Sequence, residues 1–548
     1  MNQPSYQQQS QELIDGLKAV CAGAGLGNDG NEYRIIVQTF LYKLLSDKFA
    51  FELKRLEPRL AEAGADWISV WHAMPATERE LLEMQLDGDV PRLTEDQLVP
   101  SLFNRLNQPG FAALFDDALV AIAAQNHKIF AVRTDDGEKV ALFDRLSDYV
   151  TGSADKKDKF CRALMNRLAS FSFERLFEQR YDFYATLFEY LIKDYNKDNG
   201  GEYAEYYTPH AVATVMADIL VPEDQRGRVR GVTCYDPAAG SGTLLMALAH
   251  GIGESNCSIF AQDMSQKSSS LLRLNLVLNK LVHSIPNVVQ GNTILHPVHK
   301  EEVAPSQIRK FDYIVSNPPF KMDFSDYRND LEAEANNGRF FAGIPAIPKK
   351  NKKGMAIYLL FIQHVLASLG PNGKAAIVVP TGFITAAHGI EKKIRQELVN
   401  KKMIAGVVSM PSNIFATTGT NVSILFIDKA SREDVVLVDA SALGTKVKEG
   451  KNQKTLLSPE EERHIVSTFN ARETLEDFSI AVGHDAIKAK NYSLSAGQHF
   501  DVKIAYEEIT PEDFSENVCA RLARLESMFA ESRVLEVEIR RALNGLSV

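Results

Sequence analysis

Cysteine is scarce in this chain. Its 548 residues include five, at positions 21, 161, 234, 257 and 519, and no two form a Cys-x-x-Cys pair. That spacing excludes a disulfide framework, argues against a cysteine zinc site, and fits a reducing cytoplasm. Long apolar runs are missing too: none approaches the roughly 18 residues needed to span a bilayer, so no membrane partner is expected. The opening Met1-Asn2-Gln3-Pro4-Ser5 has neither the basic nor the apolar region of a signal peptide. There is no internal repeat, and no G-x-x-x-x-G-K-S/T run of the kind that cradles ATP phosphates. Basic charge is in deficit, with 61 lysines and arginines against 71 aspartates and glutamates and a formal net charge of −10. A stand-alone binder of nucleic acid is usually basic overall or on one face. The acidity therefore points to another protein supplying part of any such affinity. Two basic runs remain, Lys349-Lys350-Asn351-Lys352-Lys353 and Lys392-Lys393 through Lys401-Lys402.

What is present is the composition of a soluble globular protein, 45% hydrophobic and 24% charged. The length suggests two to four domains. Residues 1–195 read as a helical N-terminal domain. Arg34 to Leu45 places apolar side chains at three-to-four spacing, and Phe160 to Ile192 is a second helical region. The polar Lys193 to Gly201 marks a boundary. Between 196 and 490 strands and helices alternate. Strands are expected at 232–235, 258–262, 311–315, 374–379, 422–427 and 435–438. Helices are expected from Thr208-Pro209 through Leu220, from Gly242, around 271–278 and near Pro459. This alternation predicts an α/β fold with a largely parallel sheet covered on both faces and a ligand at the carboxyl ends of its strands. Residues 321–353 form a long charged loop, of the kind that is functional or mobile. Residues 491–548 are a helical tail whose last run sets Leu522, Leu525, Met528 and Phe529 on one side. That stripe suits a partner, or packing on its own domain.

Two motifs carry the chemistry. The first, Asp236-Pro237-Ala238-Ala239-Gly240-Ser241-Gly242, follows the strand at 232–235 and opens a helix. Glycine is needed in such a turn where a side chain would block a cofactor. A dinucleotide fingerprint would need a third glycine, and Leu245 stands there instead. Asp263 ends the second strand, 21 residues after Gly242, where a carboxylate can accept both hydroxyl protons of a ribose. The second motif, Asn317-Pro318-Pro319-Phe320, ends an apolar strand 75 residues after Gly242. Each has a plain alternative: Gly-x-Gly can be a bare turn, and Asn-Pro-Pro an ordinary end to a strand.

Together the motifs resemble the amino-methyltransferases of the gamma order, with the cofactor motif first. Glu205-Tyr206-Tyr207-Thr208-Pro209, Phe341-Ala342-Gly343-Ile344-Pro345, Gly373 to Pro380 and Met410-Pro411-Ser412-Asn413-Ile414-Phe415 narrow the resemblance. They are similar to segments of the modification subunits (HsdM family) of Type I restriction–modification systems. The resemblance implies a Rossmann-like methyltransferase sheet. It implies that Glu205 to Pro209, Asp236, Ala238, Ala239, Gly240 and Gly242 contact S-adenosylmethionine, with Asp263 on the ribose and Asn292 near the cofactor's adenine. Many relatives carry an acid where Asn292 stands. Tyr207 has a plain alternative as core, and Thr208-Pro209 as a helix start. The N-terminal part is also longer than the family pattern around residues 55–160.

The implied reaction is methyl transfer to N6 of adenine in double-stranded DNA. That amine is a poor nucleophile because its lone pair is delocalised into the ring. Two acceptors gripping its N–H groups, the Asn317 side-chain oxygen and the Pro318 carbonyl, would localise it. Pro318 and Pro319 hold the backbone in place. Phe320 would stack on the base once everted. A C5-cytosine enzyme needs a cysteine nucleophile, usually in Pro-Cys, which this chain lacks; release-factor glutamine methyltransferases carry tyrosine where Phe320 stands. The family implies two such subunits assembled with one specificity subunit, and sometimes a restriction subunit. A self-sufficient adenine methyltransferase, one acting on RNA or protein, and a scaffold that binds cofactor without catalysis are the alternatives. His364, in an apolar helical run, reads as a core histidine.

Overall fold

The computed structural model describes residues 6–27, 30–88, 90–127, 132–137, 139–140, 142–174, 177, 208–333, 338–415, 421–431, 433–449, 452–500 and 510–544. They fall into two compact units, Met1–His499 and Phe500–Val548. No helix among the described residues is long and apolar enough to cross a membrane.

The larger unit is a mixed α/β structure. It is built around an eleven-stranded sheet in the order β13-β10-β8-β9-β7-β6-β3-β4-β5-β1-β2. The central strands are β3 (Val232–Asp236), β4 (Cys257–Asp263), β5 (Val288–Gln290), β6 (Phe311–Ser316) and β7 (Leu369–Pro380), all mutually parallel. On one side follow β8 (Ile404–Ser409), β9 (Val422–Asp428), β10 (Val435–Asp439) and β13 (Ser479–Val482). Of these, β9 runs antiparallel to β7 and β8. On the other side lies a hairpin, β1 (Val132–Thr134) and β2 (Lys139–Val140), with β1 parallel to β5. A separate hairpin pairs β11 (Thr445–Glu449) with β12 (Asn452–Leu456).

Six successive residues of β9, Val422 to Ile427, are buried. Successive strand side chains point to opposite faces, so both faces of the sheet are covered, as the unbroken apolar runs predict. Helix His210–Leu220 packs on helices Thr243–Ile252 and Pro459–Ala471, and helix Tyr358–Ser368 packs on β7. The last helix-like run begins with a capping box, Ser458 and Glu461 exchanging backbone N–H bonds. The helix expected after Thr208-Pro209 starts at His210, with Pro209 still extended at the cap. That shift of one residue is within the ordinary fraying of helix ends.

The first 195 residues are mainly helical among those described, with helices such as Gly30–Leu56, Phe111–Gln125 and Ala154–Ala169. The exception is the β1–β2 hairpin, too short to show a period-two pattern and joined to the sheet only through β5. The sequence pattern also misses β5, β8, β13 and the β11–β12 hairpin. Three residues make β5, and Gly406 interrupts the apolar pattern of β8. The second unit is described by helix Pro511–Asn544, along which Phe514, Leu522, Leu525, Met528 and Phe529 are all exposed.

Gly242 shows how the site depends on packing. It is left-handed, with φ +84°, and a Cβ there would lie 2.2 Å from Leu272 Cδ1 on helix Gln266–Leu278. Replacing Gly242 with Ala adds backbone strain and overpacking together. The variant is expected to lose about 1–3 kcal/mol in urea unfolding, and an unchanged midpoint would contradict this packing.

Candidate active site

The turn after β3 is assembled by hydrogen bonds from three strand ends. Asp236, buried, accepts the Ala238 N–H and the Ser316 hydroxyl through the same oxygen, each at 2.9 Å. It thereby ties the end of β3 to the end of β6. Asp263 at the end of β4 accepts the Gly240 N–H at 2.9 Å on one oxygen and the Ser265 N–H at 2.8 Å on the other. The Ser268 hydroxyl is a third donor to this carboxylate, which leaves it one lone pair for a further donor. Gly240 is left-handed at φ +53°, which bends the chain away from the space in front of Asp263. Thr293 closes the turn from behind, its hydroxyl donating to the Pro237 carbonyl at 2.7 Å.

These ties surround a cavity of about 320 Å³ at the carboxyl edge of the sheet. Of the residues singled out by sequence, Thr208, Asp236, Ala238, Ala239, Gly240, Asp263, Asn292, Asn317 and Pro319 line it. Pro209, Gly242, Pro318 and Phe320 are not among its lining residues, and Glu205, Tyr206 and Tyr207 lie outside the described residues. Phe320 is half-buried, edge-on to Tyr358 with ring centroids 6.2 Å apart. The Asn317 amide nitrogen donates to the Thr208 hydroxyl at 3.2 Å, which leaves its side-chain oxygen to act as an acceptor.

The cavity has further walls that motif spacing did not reveal: Ser241, Thr243, Leu244, Met264, Ser265, Thr293, Ile294, Met322, Ile357 and Phe361. One local signal existed. Met264 directly follows Asp263 in the chain, though its 53% exposure is visible only in the fold. Ile357 and Phe361 come from the segment that starts helix Tyr358–Ser368, with no sequence spacing linking them to either motif.

Behind the wall sits a buried polar cluster. Arg339, from the long loop, donates to the Thr293 and Ile294 carbonyls, each at 2.8 Å, and to Nδ1 of His364 at 3.1–3.2 Å. A guanidinium can only donate, so His364 Nδ1 is the acceptor and the imidazole proton is on Nε2, beside the Tyr235 hydroxyl at 3.1 Å. Burial, with Arg339 beside it, holds His364 well below the usual histidine range. His364 is thus a neutral core histidine, as the apolar run predicts. Its neighbour Gln363 accepts from the Ala342 N–H and donates to the Gly343 carbonyl. The segment Phe341 to Pro345 is fastened to the same helix in this way.

Burial is also the main influence on the two carboxylates. It pushes Asp236 up to about 7 against the pull of its two donors, with Asp263 adding to the rise, and it raises Asp263 as well. A carboxyl raised in the folded state favours folding in its protonated form. That contribution is complete below the unfolded value of about 4 and is lost as pH climbs through about 7. Asp236→Asn keeps an acceptor for both donors and cannot ionise. Its unfolding free energy relative to wild type should rise between pH 4 and pH 7, by about 1–4 kcal/mol, and level off above. A difference independent of pH in thermal or urea unfolding would refute the assignment.

Comparison with known proteins completes the description. The family model described as N-6 DNA Methylase matches residues 179–508. The chain is 27% identical over 355 residues to the Type I restriction enzyme MpnII methylase subunit of Mycoplasma pneumoniae. That match covers 64% of this chain and 62% of the relative, less than two thirds of its length. It is 25% identical over 454 residues to the HindI methylase subunit of Haemophilus influenzae, covering 80% of this chain and 93% of that one. Among solved structures, a type I restriction-modification system methyltransferase subunit from Streptococcus thermophilus shares the fold at TM-score 0.70 and 22% identity. That likeness covers 90% of this chain and 100% of the other.

Proposed function

The chain belongs to the N-6 DNA methylase family, and from that premise we propose that it methylates N6 of adenine in double-stranded DNA as a Type I modification subunit. The observation that carries this is the shared cavity: Asp263, the glycine turn and Asn317 line one space at the carboxyl edge of the sheet. S-adenosylmethionine, when bound, supplies an activated methyl group on a positively charged sulfur. The residues present suit that molecule. Asp263 has a lone pair left for a ribose hydroxyl, the turn at Ala238 to Gly240 leaves room for the chain, and Met264 and Ile294 offer apolar surface to a purine.

On the acceptor side, Asn317 receives one N–H of the target amine, held in place by Thr208. The Pro318 carbonyl receives the other, and Phe320 is assigned to the face of the everted base. Buried Asp236 fixes the offset between the two half-sites through Ser316, next to Asn317 in the chain. The protein's part is orientation and exclusion of water, with no covalent enzyme intermediate. A separate specificity subunit chooses the site, in an assembly with a second copy of this chain and, in complete systems, a restriction subunit. Helix Pro511–Asn544 is the element assigned to partner contact, and the cytoplasm is the compartment.

The direct test is transfer of labelled methyl to host DNA with the specificity partner present. Asn317→Ala should transfer about 100-fold more slowly or worse, the scale set by loss of one preorganised polar contact. Equal incorporation by the two proteins removes Asn317 from this role. The exposed lysines 349, 350, 352 and 353 sit a few residues before Ile357 of the cavity wall and are assigned to DNA phosphates. Each Lys→Gln change should lower the magnitude of the salt slope of DNA binding by about 1. An unchanged slope returns the loop to a solvated surface.

A further inference from the structure

The N-terminal hairpin lies against Asn292, one of the residues that line the cavity. In register, Arg133 pairs with Val289 and Thr134 with Gln290, so the next residue, Asp135, stands level with Gly291. The Asp135 N–H donates to the Gln290 carbonyl at 2.9 Å, and the Asn292 N–H lies 3.4 Å from its carboxylate. A Cβ on Gly291 would fall 2.5 Å from both Cβ and Cγ of Asp135. Gly291 carries no positive φ that would ask for glycine, so the close approach of Asp135 is what the missing side chain serves.

The order of strand ends lays out the cavity. From β6 to β1 it runs Asn317, the glycine turn, Asp263, Gly291-Asn292 and Asp135, with neighbouring strands roughly 4.8 Å apart. With the methyl group at Asn317 and the ribose at Asp263, the purine of the donor extends toward Asn292. Its 6-amino group needs an acceptor there; the nearby carbonyl and amide oxygens each already hold a donor at ordinary distance, while the Asp135 carboxylate has the Asn292 N–H at 3.4 Å and lone pairs to spare. The Asn292 side-chain oxygen receives the Ile294 and Leu295 N–H groups at 3.1 Å, and its backbone carbonyl receives His296 N–H at 2.7 Å. The Thr293 and Ile294 carbonyls receive Arg339.

We propose that Asp135, delivered by the N-terminal hairpin, accepts the 6-amino group of the methyl donor's adenine and makes the cofactor site selective for an aminopurine. This rests on the reading of the cavity as an S-adenosylmethionine site. It also gives a role to part of the long 55–160 segment: the hairpin completes a site built mostly by the second half of the chain.

The test is binding rather than turnover. Calorimetry on the full chain compares S-adenosylhomocysteine with S-inosylhomocysteine, in which a carbonyl replaces the amine. Wild type should prefer the adenosyl compound by about 10- to 100-fold, the scale of a hydrogen bond to a charged group. Asp135→Asn, at an exposed position and with an unchanged melting temperature, should bind both within about threefold, since an amide can face either group. Gly291→Ala, which pushes the Asp135 side chain aside, should narrow the preference in the same way. A preference that persists in Asp135→Asn, or its absence from a wild type that binds S-adenosylhomocysteine, overturns the assignment of Asp135. A wild type that binds neither compound overturns the reading of the cavity itself, and the inference with it.

Discussion

A carboxylate with no water around it has to be answered by donors, and at Asp236 the donors come from two different strands. Ala238 belongs to the turn after β3, and Ser316 ends β6. The bond pattern turns a sheet edge into a defined offset between a glycine turn and an acceptor motif. Asp263 does the same one strand further on, holding Gly240 and Ser265. The cost is burial of charge, visible as the rise of both carboxylates. Preorganised polar groups at strand ends are useful because they need no rearrangement when a ligand arrives.

The loop that follows the acceptor motif is held by the same logic. Arg339 is buried, and its guanidinium spans two wall carbonyls and a neutral imidazole. Gln363 grips the backbone at Ala342 and Gly343. Met322, Ile357 and Phe361 then bring apolar surface from this loop and the helix after it to a cavity whose polar face comes from β3, β4 and β5. Polar anchoring behind and apolar lining in front is the usual division in a site that must orient a mostly organic ligand.

Charge is distributed in keeping with a divided task. The chain is acidic overall, at −10, yet exposed lysines cluster at 349–353, a few residues before Ile357 of the cavity wall. Long-range attraction to a polyanion falls with net negative charge, while contacts at short range survive. Under the proposed division of labour, in which a partner selects the site, a chain can carry such a balance.

The sequence by itself determined the mixed α/β class, strands at 232–235, 258–262, 311–315, 374–379, 422–427 and 435–438, and the two motifs at their ends. Strand-to-turn-to-helix transitions leave local marks, glycine where a Cβ would collide and proline where a strand must stop, and local marks are readable along one chain. Only the tertiary structure decided which distant residues share the cavity with them. Thr208 beside Asn317, Arg339 against Thr293 and Asp135 against Gly291 are 109, 46 and 156 positions apart. Sheet order and side-chain packing set those neighbours, and neither follows a periodicity that spacing along the chain can record.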